Sequence, residues 1–451
     1  MIAHPSHTID LDESIATKLG RLAKRPQSLE DTGLSQTFVG DLVAKHLLDG
    51  GAQSLSNLVE RLALSGQILE AVLHFMRQEA NVEVLAADSA TSGIRYGLTD
   101  RGRATALDAM FRSGYVGPAP IPLTEYARVV RAQTVHNRTV TRDAMRSAFE
   151  GVTLEDSLID QLGPSLNSGR AIFVYGPAGT GKTYIANKLR RLFFDRTLIP
   201  HAILINDAVV DIFDPVAHKA IGYDDQGPDL MLERGFDPRY VCCERPVVIS
   251  GGELTADMLE IQYDEATRQY HAPLQLKANN GMFMIDDMGR QRVAPEVVFN
   301  RWIVPMEEKK DYLHLGSGRH FSVPFDVVLI FSTNMHPLDL ADDAFLRRIG
   351  YKIKFDYLAP DAYGEIWKAE CKELGIIFDQ EILDYVLHEL HAKQQVRLLP
   401  CHPRDLLGIA VDFSTYIDEP RKLTKQQMNW AWSNYFVAMD EDSSIRPGST
   451  T

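Results

Sequence analysis

The segment Gly176-Pro177-Ala178-Gly179-Thr180-Gly181-Lys182-Thr183 constrains this chain more than any other feature. It spells G-x-x-x-x-G-K-T, and its surroundings are those such a loop requires. The apolar run Ala171-Ile172-Phe173-Val174-Tyr175 before it reads as a buried parallel strand. Ile185, Ala186 and Leu189 after it fall at helical spacing. Glycines at these positions let backbone N–H groups curl around phosphates, and a helix N-terminus adds a favourable dipole. The candidate phosphate-binding set is therefore Gly176, Pro177, Ala178, Gly179, Thr180, Gly181, Lys182, Thr183 and the adjoining Tyr184. Lys182 is expected to contact the β- and γ-phosphates of ATP, and Thr183 to ligate Mg²⁺.

Four later segments complete a pattern. Gly281-Met282-Phe283-Met284-Ile285-Asp286-Asp287 is an apolar strand ending in two acids, with Asp286 suited to the Mg²⁺ shell. Val327-Val328-Leu329-Ile330-Phe331-Ser332-Thr333-Asn334 is a second such strand, ending in an amide. Asp342-Asp343-Ala344-Phe345-Leu346-Arg347-Arg348-Ile349 and His402-Pro403-Arg404-Asp405-Leu406-Leu407 follow.

In this order the segments resemble the AAA+ superfamily of P-loop ATPases, from about Val152 to Ala438. The resemblance implies an α/β fold, a parallel sheet flanked by helices, with a C-terminal α-helical lid. It implies ATP hydrolysis with Mg²⁺ in a homo-oligomer, commonly a hexameric ring. Asn334 would hold the attacking water, and Arg404 would contact the nucleotide in cis. Arg348, favoured over Arg347 because it directly precedes the apolar Ile349, would be the arginine finger offered to a neighbouring subunit. A finger supplied in trans raises the rate of P-loop enzymes by roughly 10³ to 10⁵. Asp287 departs from the family, which usually has Glu there to activate water. Some replication initiators of the superfamily also carry Asp-Asp.

The stretch between Lys182 and Asp286 is much longer than in compact AAA+ modules, so something is inserted. Leu259–Tyr263 and Tyr270–Leu276 read as one hairpin around the turn Asp264 to Gln269. Tyr312–Leu315 and His320–Val323 read as a second, around Gly316-Ser317-Gly318. With Val304-Pro305-Met306-Glu307-Glu308 ahead of it, the second hairpin resembles the branch of MoxR-type chaperone ATPases and bacterial enhancer-binding activators. The Gly-Ala-Phe-Thr-Gly-Ala loop of those activators is not found here. The chain looks most similar to chaperone-like bacterial ATPases with an N-terminal extension. Ile221-Gly222-Tyr223 is a candidate pore loop, and a buried tyrosine is the plainer alternative.

Ahead of the ATPase module, Phe38, Leu42, Val43 and Leu47 share one helical face, and Leu55, Leu58, Val59 and Leu62 share a second. Ile68, Val72, Phe75 and Met76 form a third, with Ser65 as its expected N-cap. Two strand-like runs, Val82 to Leu85 and Ile94 to Leu98, are joined by the loop Ala86 to Gly93. Three helices, a hairpin and the exit Tyr96-Gly97-Leu98-Thr99-Asp100-Arg101-Gly102 resemble a winged-helix domain. Many such domains read DNA with the third helix. Here that helix offers only His74 and Arg77, beside Glu70 and Glu79. The hairpin region adds Arg95, Arg101 and Arg103, and a protein-docking or oligomer-stabilising module is favoured over DNA binding. The expected division is a loose tail over 1–32, a winged-helix-like α+β domain over 33–113 and a Gly/Pro-rich linker with one helix over 114–150. A large α/β subdomain with hairpin insertions over 151–357, a helical lid over 358–440 and a disordered tail over 441–451 complete it.

Net charge −14 argues against bulk binding to nucleic acid, which needs clustered Lys and Arg. No apolar run approaches the roughly 18 residues that span a bilayer. The N-terminus lacks the pattern of a signal peptide, so a cytoplasmic location is expected. Cys242, Cys243, Cys371 and Cys401 form no CxxC pair and read as reduced thiols. His388-Glu389-Leu390-His391 has the wrong spacing for a zinc helix and reads as a solvated face. Three functions remain open: a ring-forming remodeller of an unidentified protein partner, a DNA-acting AAA+ protein, and a weakly hydrolysing nucleotide-dependent scaffold.

Overall fold

The computed structural model describes residues 18–85, 94–137, 139–193, 195–221, 235–316, 318–418 and 423–436. The expectations for the Ala86 to Gly93 loop, for Gly222 and Tyr223, for Ser317, for residues 1–17 and for the tail 441–451 lie outside them.

Five strands form the central sheet: β1 (Ile172–Tyr175), β2 (Val247–Ser250), β3 (Gly281–Ile285), β4 (Val327–Thr333) and β5 (Tyr351–Lys354). All pair in parallel, in the order β2-β3-β4-β1-β5. Every residue of β3 and β4 is buried, which explains their unbroken apolar sequences. Alternate side chains serve opposite faces. Ile172, Val174, Met282, Met284, Val328 and Ile330 pack toward α1 (Asp156–Asn167) and α2 (Lys182–Leu189). Phe173, Phe283, Leu329 and Phe331 pack toward α3 (Pro295–Glu308) and α4 (Asp343–Arg348), where Phe299, Trp302 and Phe345 meet them. This is the α/β P-loop NTPase architecture.

The chain then enters a helical domain built on α5 (Pro360–Glu373), α6 (Cys401–Tyr416) and α7 (Lys425–Tyr435). Its core joins Tyr363, Trp367, Leu406, Leu407, Met428 and Trp432. His391 is no part of a solvated face: it is buried there, 3.1 Å from the Tyr363 hydroxyl and 3.1 Å from the Val396 carbonyl. His388, three residues earlier, is exposed. Val386–His391 is a π-helix, whose wider turn sets residues three apart on different sides, where an α-helix would keep them on one face.

The N-terminal domain contains helices Gln36–Gly50, Leu55–Leu62 and Gly66–Gln78. Strands Gln53–Ser54, Val82–Leu85 and Arg95–Leu98 form an antiparallel sheet with Arg95–Leu98 at its centre. Ser35 and Ser54 cap their helices by accepting the N–H of Phe38 and Asn57. Ser65 occupies the N-cap position but makes no capping hydrogen bond.

The region expected as a linker, 114–150, carries structure throughout most of its length. Ile121–Pro122 pairs in parallel with Ala202–Ile205. Helix Leu123–Ala132 buries Tyr126, Val129 and Val130. Helix Arg142–Ala148 puts Met145 and Ala148 into the central core. The Gly/Pro-rich stretch is held by backbone bonds, from Gly114 N–H to the Arg268 carbonyl (3.0 Å) and from Ala119 N–H to the Leu62 carbonyl (2.9 Å).

The long insertion forms a third unit with that segment. A five-stranded sheet runs Gln262–Asp264, Gln269–His271, Ala208–Asp211, Ala202–Ile205, Ile121–Pro122. Arg196–Pro200 pairs with Tyr240–Glu244 beside it. The hairpin Lys310–His314 with His320–Pro324, which leads into β4, buries Leu313 and Val323 in the same core.

Candidate functional site

The glycine-rich loop leaves β1 and enters α2 with no room for a side chain at two of its glycines. Gly176 has φ +139, and a Cβ there would lie 1.9 Å from the Phe355 carbonyl oxygen. Gly179 has φ +80, and a Cβ there would lie 2.6 Å from Cys401 Sγ. The first contact pins the loop to the segment after β5. The second shows the N-terminus of α6 resting on the loop, so the helical domain abuts it.

Lys182 is 7% exposed. Its ammonium donates to the carbonyls of Gly176 (2.8 Å) and Pro177 (2.9 Å) and to Asn334 Oδ1 (2.7 Å). Burial lowers its pKa, and the neighbouring carboxylates of Asp286 and Asp287 oppose that shift. Thr183 donates its hydroxyl to Asp286 Oδ2. A hydroxyl and a carboxylate side by side are the hard oxygen donors that Mg²⁺ accepts, so the residues fit that ion.

Asn334 uses both ends of its amide. Oδ1 faces the ammonium, and Nδ2 donates to Asp287 Oδ1 at 3.1 Å. Asp287 sits in the left-handed region with φ +49 and donates its N–H to Asp286 Oδ1 (2.9 Å). The turn after β3 is tied to β4 by Met288 N–H to the Ser332 carbonyl (2.8 Å) and by Thr333 Oγ1 to the Met288 carbonyl (2.7 Å). It is tied to itself by Gln291. That carboxamide accepts Gly289 N–H (2.8 Å) and donates to the Asp286 carbonyl (2.8 Å).

Lys182, Thr183, Asp286, Asp287 and Asn334 thus converge from three strand ends. The other candidates stand apart from them. Tyr184 is 52% exposed, with Lys188 Nζ 5.0 Å above its ring. Arg404 pairs with its neighbour Asp405 at 3.0 Å and is exposed. Arg348 donates to Glu307 Oε1 (2.5 Å) and to the Ala344 carbonyl (2.9 Å). Arg347, exposed on the same helix, has no ion pair among the described residues. Gln291 and Cys401 were not among the sequence candidates. Neither belongs to a motif, and only the fold brings them to the loop and the acid turn.

A family model described as a domain of unknown function (DUF8689) matches residues 359–434, the helical domain. No curated protein matches. Among solved structures, the chain is similar to the Holliday junction branch migration motor RuvB of Thermotoga maritima. That match has a TM-score of 0.36 and 10% identity, over 62% of this chain and 68% of that one. It is also similar to NtrX from Brucella abortus, at a TM-score of 0.40 and 12% identity, over 66% of this chain and 58% of that one.

Proposed function

We propose that this chain binds and hydrolyses ATP as an AAA+-type enzyme, with sites completed between copies in a ring, and that it works mechanically on a protein partner. The observation that carries the reading is the joining of Lys182, Asn334 and Asp287 by hydrogen bonds beside the Thr183–Asp286 pair. The loop N–H groups and the Lys182 ammonium would receive the phosphates. Thr183 and Asp286 would hold Mg²⁺, which when bound neutralises charge on the phosphates. Asn334 and Asp287 would orient a water. Its oxygen bonds to the γ-phosphorus, Asp287 accepts its proton, and the bond to the β,γ-bridging oxygen breaks, giving ADP and phosphate.

The strand order β2-β3-β4-β1-β5 and the helical domain against Gly179 support the AAA+ assignment. The hairpin directly before β4 supports the MoxR-like branch. The order helix, strand, two helices, two strands supports a winged-helix-like N-terminal domain. Glu70 and Glu79, exposed on and just after its third helix, favour a protein partner over DNA. Arg347 is a better finger than Arg348, because Glu307 already holds the latter.

The test is ATPase rate against protein concentration, with mass measured in parallel. The rate per subunit should rise with assembly and vanish in Lys182→Ala. It should fall by roughly 10³ or more in Arg347→Ala and much less in Arg348→Ala. A monomer that turns over at full rate at every dilution would sink the shared-site reading.

A further inference from the structure

We infer that Gln291 is a positioning residue for hydrolysis, fixing the carboxylate of Asp287 through the turn that carries it. The inference rests on the hydrolytic reading above and extends it to a residue that belongs to no motif.

The acid turn has an unusual backbone. Asp287 and Gly289 both have positive φ, +49 and +99. Left-handed backbone is strained for a non-glycine residue, so something must hold Asp287 there. The Asp286 carbonyl and the Gly289 N–H flank it. In a simple β-turn these two groups would bond each other. Instead the Gln291 carboxamide lies between them, accepting from Gly289 N–H and donating to the Asp286 carbonyl, each at 2.8 Å. A side-chain amide offers a donor and an acceptor together, and both are used here. The same amide nitrogen lies 3.4 Å from the Gly251 carbonyl at the end of β2. The opening of the turn is thereby set by the length of one glutamine.

Both acids project from this turn. Asp286 reaches Thr183, and Asp287 reaches Asn334. Asp287 has one methylene less than the glutamate more usual at such a position, so its reach depends on its backbone. The left-handed conformation of Asp287 sets the direction in which its short side chain leaves the turn. Within the turn Gln291 supports that conformation together with the bonds from Asp287 N–H to Asp286 Oδ1 (2.9 Å) and from Arg290 N–H to the Asp287 carbonyl (3.0 Å), while Thr333 and Ser332 hold it from β4.

Two substitutions separate this role from plain stability. Gln291→Met keeps the bulk and removes both hydrogen bonds. Gln291→Glu keeps the acceptor and removes the donor. In both, kcat should fall on the order of tenfold to a hundredfold, because small misplacements of a reacting group cost that much. Affinity for a fluorescent ADP analogue should stay within about twofold, since the loop and Lys182 are untouched. In an Asp287→Asn background, followed by single-turnover hydrolysis, Gln291→Met should add no further loss, because the group it positions is gone. The role is overturned if kcat stays within about twofold of wild type, if nucleotide affinity falls in step with kcat, or if the two losses multiply. Wild-type protein that binds ATP without hydrolysing it would instead remove the hydrolytic reading, and this role with it.

Discussion

Among the described residues, Asn334 is the one side chain that hydrogen-bonds both Lys182 and Asp287, through opposite ends of its amide. Removing it leaves Lys182 with carbonyl partners only and Asp287 without its side-chain donor. Asn334→Ala is therefore expected to lower kcat by on the order of 10² while nucleotide affinity holds, a split that steady-state kinetics and direct binding would resolve. Equal losses in both would mean that the amide serves binding and not the reaction. At this scale the sequence was informative where chemistry is contiguous. Lys182 and Thr183 are adjacent in one motif at the start of α2, and Asp286 and Asn334 follow apolar strands that could be recognised as strands. It was uninformative where a contact decides. The choice between Arg347 and Arg348 turns on Glu307, a residue of another helix, and no local pattern reports that pairing. Gln291 is invisible for the same reason, because its role exists only through the carbonyl and N–H it bridges.

The strands β3 and β4 begin at a buried polar cluster as well as ending at the site. Asp326, just before β4, accepts from Asn280 Nδ2 (2.6 Å), Val135 N–H (2.9 Å) and Thr134 Oγ1 (2.5 Å). Gln133 donates to Asn280 Oδ1 at 2.8 Å, and Arg245 donates to the Asn280 carbonyl at 2.7 Å. The cluster bonds the end of helix Leu123–Ala132 to the base of the sheet. Taking the carboxylate away strands three donors, so Asp326→Ala should cost about 3–5 kcal/mol in urea unfolding. A change under about 1 kcal/mol would show that water replaces it freely. One helix was expected in this stretch, but its surroundings were not legible. Gly and Pro over 114–122 signal turns, and turns were read as freedom. The strand Ile121–Pro122 is only two residues long and pairs with Ile203 and Leu204, far away in sequence. Such pairing leaves no alternation long enough to see.

Across the whole molecule, the third unit gathers strands from five separate stretches of chain, which is why the insertion was recognised by its length and not by its form. One buried ion pair organises its junction with the N-terminal domain. Asp237 and Arg239 pair at 2.8 Å with side chains 4% and 2% exposed. Arg239 Nη1 also donates to the carbonyls of Thr32 (3.1 Å) and Pro120 (3.3 Å). Arg239→Ala leaves a buried carboxylate unpaired, at a cost of about 3–5 kcal/mol. Limited proteolysis should then cut within 113–118, where the wild type resists; equal resistance in the variant would show that the bonds at Gly114 and Ala119, with those from Lys45 and His46 to the carbonyls of Ser113, Tyr115 and Gly117, hold the stretch without the guanidinium. Thr32 stands where the chain enters the N-terminal domain and Pro120 where it leaves, so one guanidinium marks both doors. Before the entrance, Leu19 and Ala23 already lie in the core of the third unit, to which the chain returns at Ile121. The N-terminal domain is thus inserted between two segments that share the core of the third unit, and its own core takes in Ala202 and Val209 from that unit's strands. A different domain with closely spaced ends could be grafted at the same point, provided that it covers Ala202 and Val209, and the central sheet beneath would keep its own strands and the turn at Asp286.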